Sequence, residues 1–109
     1  MGREGLGEFE HLVLLAVARL GNRAYGVPIV EELEAQTGRR VSRASVYVAL
    51  KRLESKDLIV SALGAPTPER GGRAKRYFQI SALAERRRLD AREALMKMWS
   101  GLPIGKRHP

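Results

Sequence analysis

The chain has 109 residues and a formal net charge of +8, from 20 Lys and Arg residues against 12 Asp and Glu residues. This length predicts one domain with a modest core, and the charge favours a nucleic acid or another anionic surface as partner. Because the sequence has no cysteine and its two histidines, His11 and His108, are far apart, disulfide frameworks and Cys or His metal sites are excluded. We expect no metal and no cofactor.

The apolar run from Leu12 to Ala18 is far shorter than the roughly 20 residues that a membrane span requires. It also follows acidic residues, whereas the front of a signal peptide is positively charged. We therefore expect a soluble, cytoplasmic protein without a membrane partner.

The first predicted helix runs from Glu8 to Leu20, with acidic residues in its first turn and Gly21 as its stop. Its nearly continuous apolar content predicts burial on most sides, which a small domain alone does not provide. We therefore expect Phe9 and Leu12 to meet a second subunit.

A second helix is predicted from Tyr25-Gly26 to Gly38, with Pro28 in its first turn, where a missing N–H costs little. Its several glutamates argue against insertion into a DNA groove. We expect this helix to support the next one.

The segment from Val41 to Ile59 combines a helix start at Ser42, an apolar stripe and a basic face. Apolar residues recur at three- and four-residue intervals, which gathers them on one side of a helix. We interpret the segment as a DNA recognition helix, although an ordinary surface helix with solvated charges has the same periodicity. Its candidate DNA-binding residues are Ser42, Arg43, Ser45, Tyr47 and Lys51.

Two β-leaning segments, Leu58 to Leu63 and Lys75 to Ile80, flank a loop rich in Gly and Pro and predict a two-stranded hairpin. The order of three helices and a hairpin is that of a winged helix-turn-helix. The hairpin tip combines positive charge with flexible backbone, which suits phosphate contact. The candidate DNA-binding residues of this wing are Arg70, Gly71, Gly72, Arg73, Lys75 and Arg76.

A last helix is predicted from its cap at Ser81 to Gly101, with Leu89, Met96 and Trp99 near one face. A membrane-surface helix is an alternative, but the interspersed acidic residues favour an antiparallel dimer helix. The predicted fold is thus mainly α with a small β-hairpin. It comprises a winged helix-turn-helix domain at 8–80, a C-terminal dimerisation helix at 81–100, and flexible tails at 1–7 and 101–109.

Three features together carry a family resemblance: Tyr25-Gly26, the segment SRASVYVALKRLESKDLI and the wing segment GGRAKRYFQIS. In this order they resemble the PadR family of bacterial transcriptional regulators, and the likeness covers roughly Glu8 to Trp99. The resemblance implies a homodimer with an N-terminal winged helix and a C-terminal helix packed against the partner, acting mainly as a repressor. It also implies that Tyr47 lies near the DNA backbone and that Gly71 to Tyr77 form the wing.

The chain departs from the family pattern at Asp57, where glycine is usual. It also has room for only one C-terminal helix, so we expect the larger effector domain of longer members to be absent. Two alternatives are open for Trp99: it packs the dimer core, or it contacts a small flat aromatic effector. Arg52 and Glu54 either read DNA or form a structural ion-pairing set.

We expect a dimeric, sequence-specific DNA-binding repressor on double-stranded DNA, with an inverted-repeat operator. The alternatives are a winged-helix protein-interaction module and a non-specific nucleic-acid binder. An enzyme is not expected, because the sequence contains no paired-carboxylate, nucleophile–base or metal constellation.

Overall fold

A computed structural model describes residues 6–64 and 74–103, which form four α-helices and an antiparallel hairpin. A short 3-10 helix at Gly21–Arg23 joins the first two helices. The helices are α1 (Glu8–Leu20), α2 (Gly26–Thr37), α3 (Arg43–Ser55) and α4 (Ala82–Trp99), and the strands are β1 (Ile59–Leu63) and β2 (Arg76–Ile80). The predicted fold class, mainly α with a small hairpin, is confirmed. The wing-tip candidates Arg70, Gly71, Gly72 and Arg73, and most of both predicted tails, lie outside the described residues.

Glycine and serine set the helix ends where the sequence predicts them. Gly38 ends α2 in the left-handed conformation, with φ of 71°, and its N–H donates to the carbonyl of Glu34 at 2.9 Å. Ser42 and Ser81 cap α3 and α4 by accepting from backbone amides three residues later. The turn from α3 into β1 passes through Asp57, whose φ of 62° is also left-handed. Aspartate is among the few residues other than glycine that tolerate this conformation.

The core lies where α1, α2 and α3 meet one face of the hairpin. In the described part of the chain, every side chain that is fully buried is apolar. The hairpin joins this core through Ile59 and Phe78, and the Phe78 N–H donates to the carbonyl of Ala24 at 2.8 Å. The strands pair with Ile59 opposite Ile80 and Ser61 opposite Phe78. The side of α3 that contributes to this core consists of Val46, Ala49, Leu50 and Leu53.

The α4 helix leaves the core after its first turn. Ala84 is its one buried residue, and its C-terminal half is exposed. The molecule is accordingly elongated, with principal extents of 59 × 33 × 20 Å. None of the helices in the described ranges is long and apolar enough to cross a bilayer.

Candidate nucleic-acid interface

The start of α3 is closed by its own serines. The Ser45 amide donates to Ser42 Oγ at 3.0 Å, and the two hydroxyl oxygens lie 2.7 Å apart. Ser42 thus satisfies the Ser45 amide as the N-cap of α3. Both side chains remain at the surface, where their hydroxyl groups can still accept or donate a further hydrogen bond.

Arg43 and Lys51 are the cations of α3 that have no ion pair within residues 6–64 and 74–103. Neither side chain has a hydrogen bond or ion pair with another described residue, and both are exposed. They are separated by eight positions, which is about 12 Å along a helix at about 1.5 Å per residue. Two cations at this separation on one exposed helix suit the spacing of phosphates and base edges in DNA.

The face of α3 opposite the core carries Lys51, which the sequence analysis selected, and three exposed side chains that it did not select. Ala44, Val48, Lys51 and Ser55 follow one another at four- and three-residue intervals and are all exposed. Val48 keeps 51% of its surface accessible, whereas Val46, two positions earlier, is fully buried. The signal was present in the sequence, because Val48 falls outside the apolar stripe.

Tyr47 does not project freely from α3. Its hydroxyl-bearing ring edge lies over Gly26 at the start of α2, so that a β-carbon there would collide with the Tyr47 hydroxyl oxygen and lie 3.1 Å from Cζ. The ring is 41% exposed. Gly26 and Tyr47, which contributed separately to the family resemblance, therefore form one contact between α2 and α3.

Arg52 and Glu54 have different partners rather than pairing with each other. Arg52 and Lys56 both approach Glu10 of α1, at 3.7 and 2.7 Å. Glu54 accepts a hydrogen bond from the Ser61 hydroxyl group at 2.8 Å. The Ser61 hydroxyl oxygen in turn accepts one from the Arg76 guanidinium at 2.9 Å. Both residues thus make contacts within the protein, which agrees with the structural alternative, although not with a mutual ion pair.

The described part of the wing packs back on the domain. Arg76 belongs to the chain of hydrogen bonds through Ser61 to Glu54, so its guanidinium is only partly available to a ligand. The Lys75 ammonium lies 5.3 Å from the centre of the Tyr25 ring, which meets the Tyr77 ring edge to face at 5.2 Å. These contacts hold the loop end of the two strands against the start of α2 and against α3.

The predicted dimer residues occupy two separate regions. Phe9 and Leu12 are half-buried and pack against the core of their own subunit. Leu89, Met96 and Trp99 are exposed on α4, between 50% and 55%. The sequence reading missed Leu95 and Met98, which are exposed by 56% and 75% and continue the side of α4 that begins with Ala84 and Ala91.

The described residues contain no group of three or more His, Asp or Glu side chains that could hold a metal ion.

Two of the described side chains have a shifted pKa. His11 lies near Arg88 of α4, and the pKa of its imidazole is lowered below the ordinary 6.5, mainly by burial and secondly by the Arg88 charge. Glu32 accepts a 2.6 Å hydrogen bond from Arg19, which is the main reason that the pKa of its carboxyl group is lowered.

The chain was compared with known proteins. A search of curated proteins finds no match. Among solved structures, a PadR family regulator from Eggerthella lenta is 23% identical with a TM-score of 0.67, covering 86% of this chain and 81% of that one. A PadR-like regulator from Bacillus cereus is 19% identical with a TM-score of 0.64, covering 86% and 93%. A transcriptional regulator from Clostridium thermocellum is 20% identical with a TM-score of 0.67, covering 83% and 82%.

At these identities the solved structures establish a shared winged-helix fold. The family evidence comes from the model of the transcriptional regulator PadR-like family, which matches residues 14–88. This range includes α2, α3 and both strands, and it is more than half of the chain. The chain belongs to the PadR-like family of transcriptional regulators, which are DNA-binding transcription factors and not enzymes.

Proposed function

We propose that this DNA-binding regulator acts as a homodimeric, sequence-specific repressor that places α3 in the major groove. The observation that carries the proposal is the exposed face of α3, on which Arg43 and Lys51 have no partner among the described residues. An α-helix fits the major groove, where Arg and Lys are the common readers of guanine. Ser42, Ser45 and Tyr47 border this face, and we assign them to the sugar-phosphate backbone.

The wing is proposed to contact the DNA backbone beside the α3 site. Arg70 and Arg73 supply positive charge for this contact, and Gly71-Gly72 between them have no side chain to keep a phosphate group away. Lys75 and Arg76 have partners within the domain, so we give them a mainly supporting role.

Arg73→Ala should lower affinity for all sequences and reduce the salt slope by about one, whereas Arg76→Ala should also lower stability. If Arg73→Ala changes neither affinity nor slope, the wing proposal is wrong.

The dimer is proposed to form through α4. Leu89, Leu95, Met96, Met98 and Trp99 are all at least half exposed on a helix that leaves its own core. A two-fold dimer predicts an inverted-repeat operator with half-sites about 34 Å apart. We give Trp99 the packing role, because an exposed ring on this face gains burial from a second subunit. An aromatic effector would instead quench the fluorescence of this single tryptophan at unchanged dimer content.

The testing experiment is fluorescence anisotropy across a salt series, on DNA selected from a random pool by the purified protein. Shuffled DNA of the same composition is the control. Specific regulators bind their sites typically at least about a thousandfold more tightly than random DNA, and we expect this preference. Equal, steeply salt-dependent binding to both would indicate a non-specific binder, and no binding at physiological salt would favour a protein-interaction module. Reduced transcription in vitro from a promoter overlapping the operator would test repression.

A further inference from the structure

We infer that Val48, with Ala44 beside it, reads the C5-methyl group of a thymine in each operator half-site. The inference rests on the proposed function, because it requires α3 to lie in the major groove. Thymine alone among the bases of unmodified DNA presents a methyl group in this groove, and an apolar side chain is the group that recognises it.

Val48 lies on the part of α3 that a bound DNA duplex would face. It lies in the outward row with Ala44, Lys51 and Ser55, facing away from the core, and 51% of its surface is accessible. Val46 supplies the buried valine of α3, so Val48 is not needed for the core. From Ala44 to Lys51 the row covers about 10 Å of helix, or about three base-pair steps at about 3.4 Å each.

The short side chains of Ala44 and Val48 suit close contact with a base edge. Ala44 and Val48 are short, so their part of α3 allows a base edge to approach closely, while Lys51 at one end reaches further. Valine is a weaker helix former than alanine, and Val48 leaves about half of its surface exposed in the single chain. Contact with a thymine methyl group would bury the exposed valine surface.

The charges around Ala44 and Val48 favour nucleic acid as the partner that covers these two side chains. Arg43 and Lys51 flank the two apolar residues and have no described partner. The acidic residues on the adjoining α1 are already matched by cations. Glu10 lies 2.7 Å from Lys56 and 3.7 Å from Arg52, and Glu8 lies 3.8 Å from Arg39. An anionic duplex therefore meets a surface of net positive charge around an apolar centre.

The test removes the methyl group from the DNA and the valine from the protein. In the operator selected by the full chain, each thymine is replaced in turn by deoxyuridine, and affinity is measured by anisotropy for wild type and for Val48→Ala. For the wild-type protein, replacing one particular thymine in each half-site by deoxyuridine should lower the affinity about fourfold. This factor corresponds to one buried methyl group. For Val48→Ala, thymine and deoxyuridine at that position should bind within a factor of about two.

Val60→Ala is the matched control. Val60 is an exposed valine of β1, accessible by 54%, and does not belong to α3. This variant should keep the full preference for thymine. Thermal unfolding of all three proteins checks that each is folded at the assay temperature.

The outcomes separate the inference from the proposed function. If an operator is selected but no thymine is sensitive to loss of its methyl group, or if the sensitivity persists in Val48→Ala, the inference is overturned and the proposed function stands. If the selection yields no preferred sequence, the proposed function fails and the inference fails with it. A preference lost in Val48→Ala and kept in Val60→Ala supports the assignment.

Discussion

At the scale of single residues, the contact between Gly26 and Tyr47 decides how α2 meets α3. A β-carbon at position 26 would overlap the Tyr47 hydroxyl oxygen, and Gly26 is buried, so the ring has to move. Gly26→Ala should therefore lower the free energy of unfolding by about 1–3 kcal/mol, the usual cost of overpacking. Urea denaturation measures this change.

Tyr47→Phe provides the control for this contact. Without the hydroxyl oxygen, the nearest remaining ring atom to the new β-carbon is Cζ at 3.1 Å, which a small ring shift relieves. Gly26→Ala should then cost less in the Tyr47→Phe background than in wild type. An equal cost in both backgrounds would show that the hydroxyl group is not the obstacle.

The lowered pKa of His11 predicts how the stability of the protein depends on pH. Burial and Arg88 lower the folded-state pKa of His11 below 6.5, so the unfolded chain binds a proton that the folded chain resists. The free energy of unfolding should therefore fall as the pH drops below 6.5 and towards the folded pKa, and should gain nothing further above 6.5. Urea midpoints at about pH 7.5 and about pH 5.5 measure this loss. His11→Gln should lose less stability than wild type over the same interval, and an equal loss would assign the effect to other groups.

At the scale of elements, Ser81 joins α4 to the turn between α3 and β1. Its hydroxyl group accepts from the Ala84 amide at 3.1 Å and donates to the carbonyl of Asp57 at 2.7 Å. Ser81→Ala should cost about 1–2 kcal/mol, because it removes the cap and also the partner of the Asp57 carbonyl group. Ser42→Ala is the matched comparison, since Ser42 caps α3 without such a link to a distant backbone group. If thermal unfolding gives equal losses, the Asp57 contact contributes nothing.

The elements themselves could be predicted from local signals. Gly21 and Gly38 end helices, Ser42 and Ser81 begin them, and each signal acts within one turn of chain. Contacts between elements could not be predicted in this way. Periodicity placed Tyr47 on a free face, whereas packing against Gly26, which is distant in sequence, holds its ring. The same applies to the hydrogen bonds that join Glu54, Ser61 and Arg76, because strand register decides them.

At the scale of the whole molecule, the candidate site could be predicted in outline and not in detail. The sequence identified Arg43 and Lys51 on α3, and both are exposed. It gave no means of telling which wing cations stay available, because Lys75 and Arg76 find partners only once the hairpin packs against α2 and α3. On α4 the basic residues obscured the apolar pattern, so Leu95 and Met98 were missed. In the described part of the chain, α3 thus exposes cations and α4 exposes apolar side chains, which are the two surfaces that the proposed DNA-binding dimer requires.

The apolar face of α4 gives the last prediction, which concerns assembly. Leu95 is 56% exposed in the single chain, and a two-fold interface through α4 would bury it twice. Leu95→Glu should therefore weaken the dimer at least about a hundredfold, from two leucine contacts of about 1.5 kcal/mol each. Sedimentation equilibrium measures the dissociation constant. Leu63→Glu is the matched control, since Leu63 is 62% exposed on the hairpin and should leave the dimer intact. Because a monomer engages one half-site, Leu95→Glu should also remove the dependence of DNA affinity on half-site spacing. A Leu95→Glu protein that remains dimeric would place the interface elsewhere.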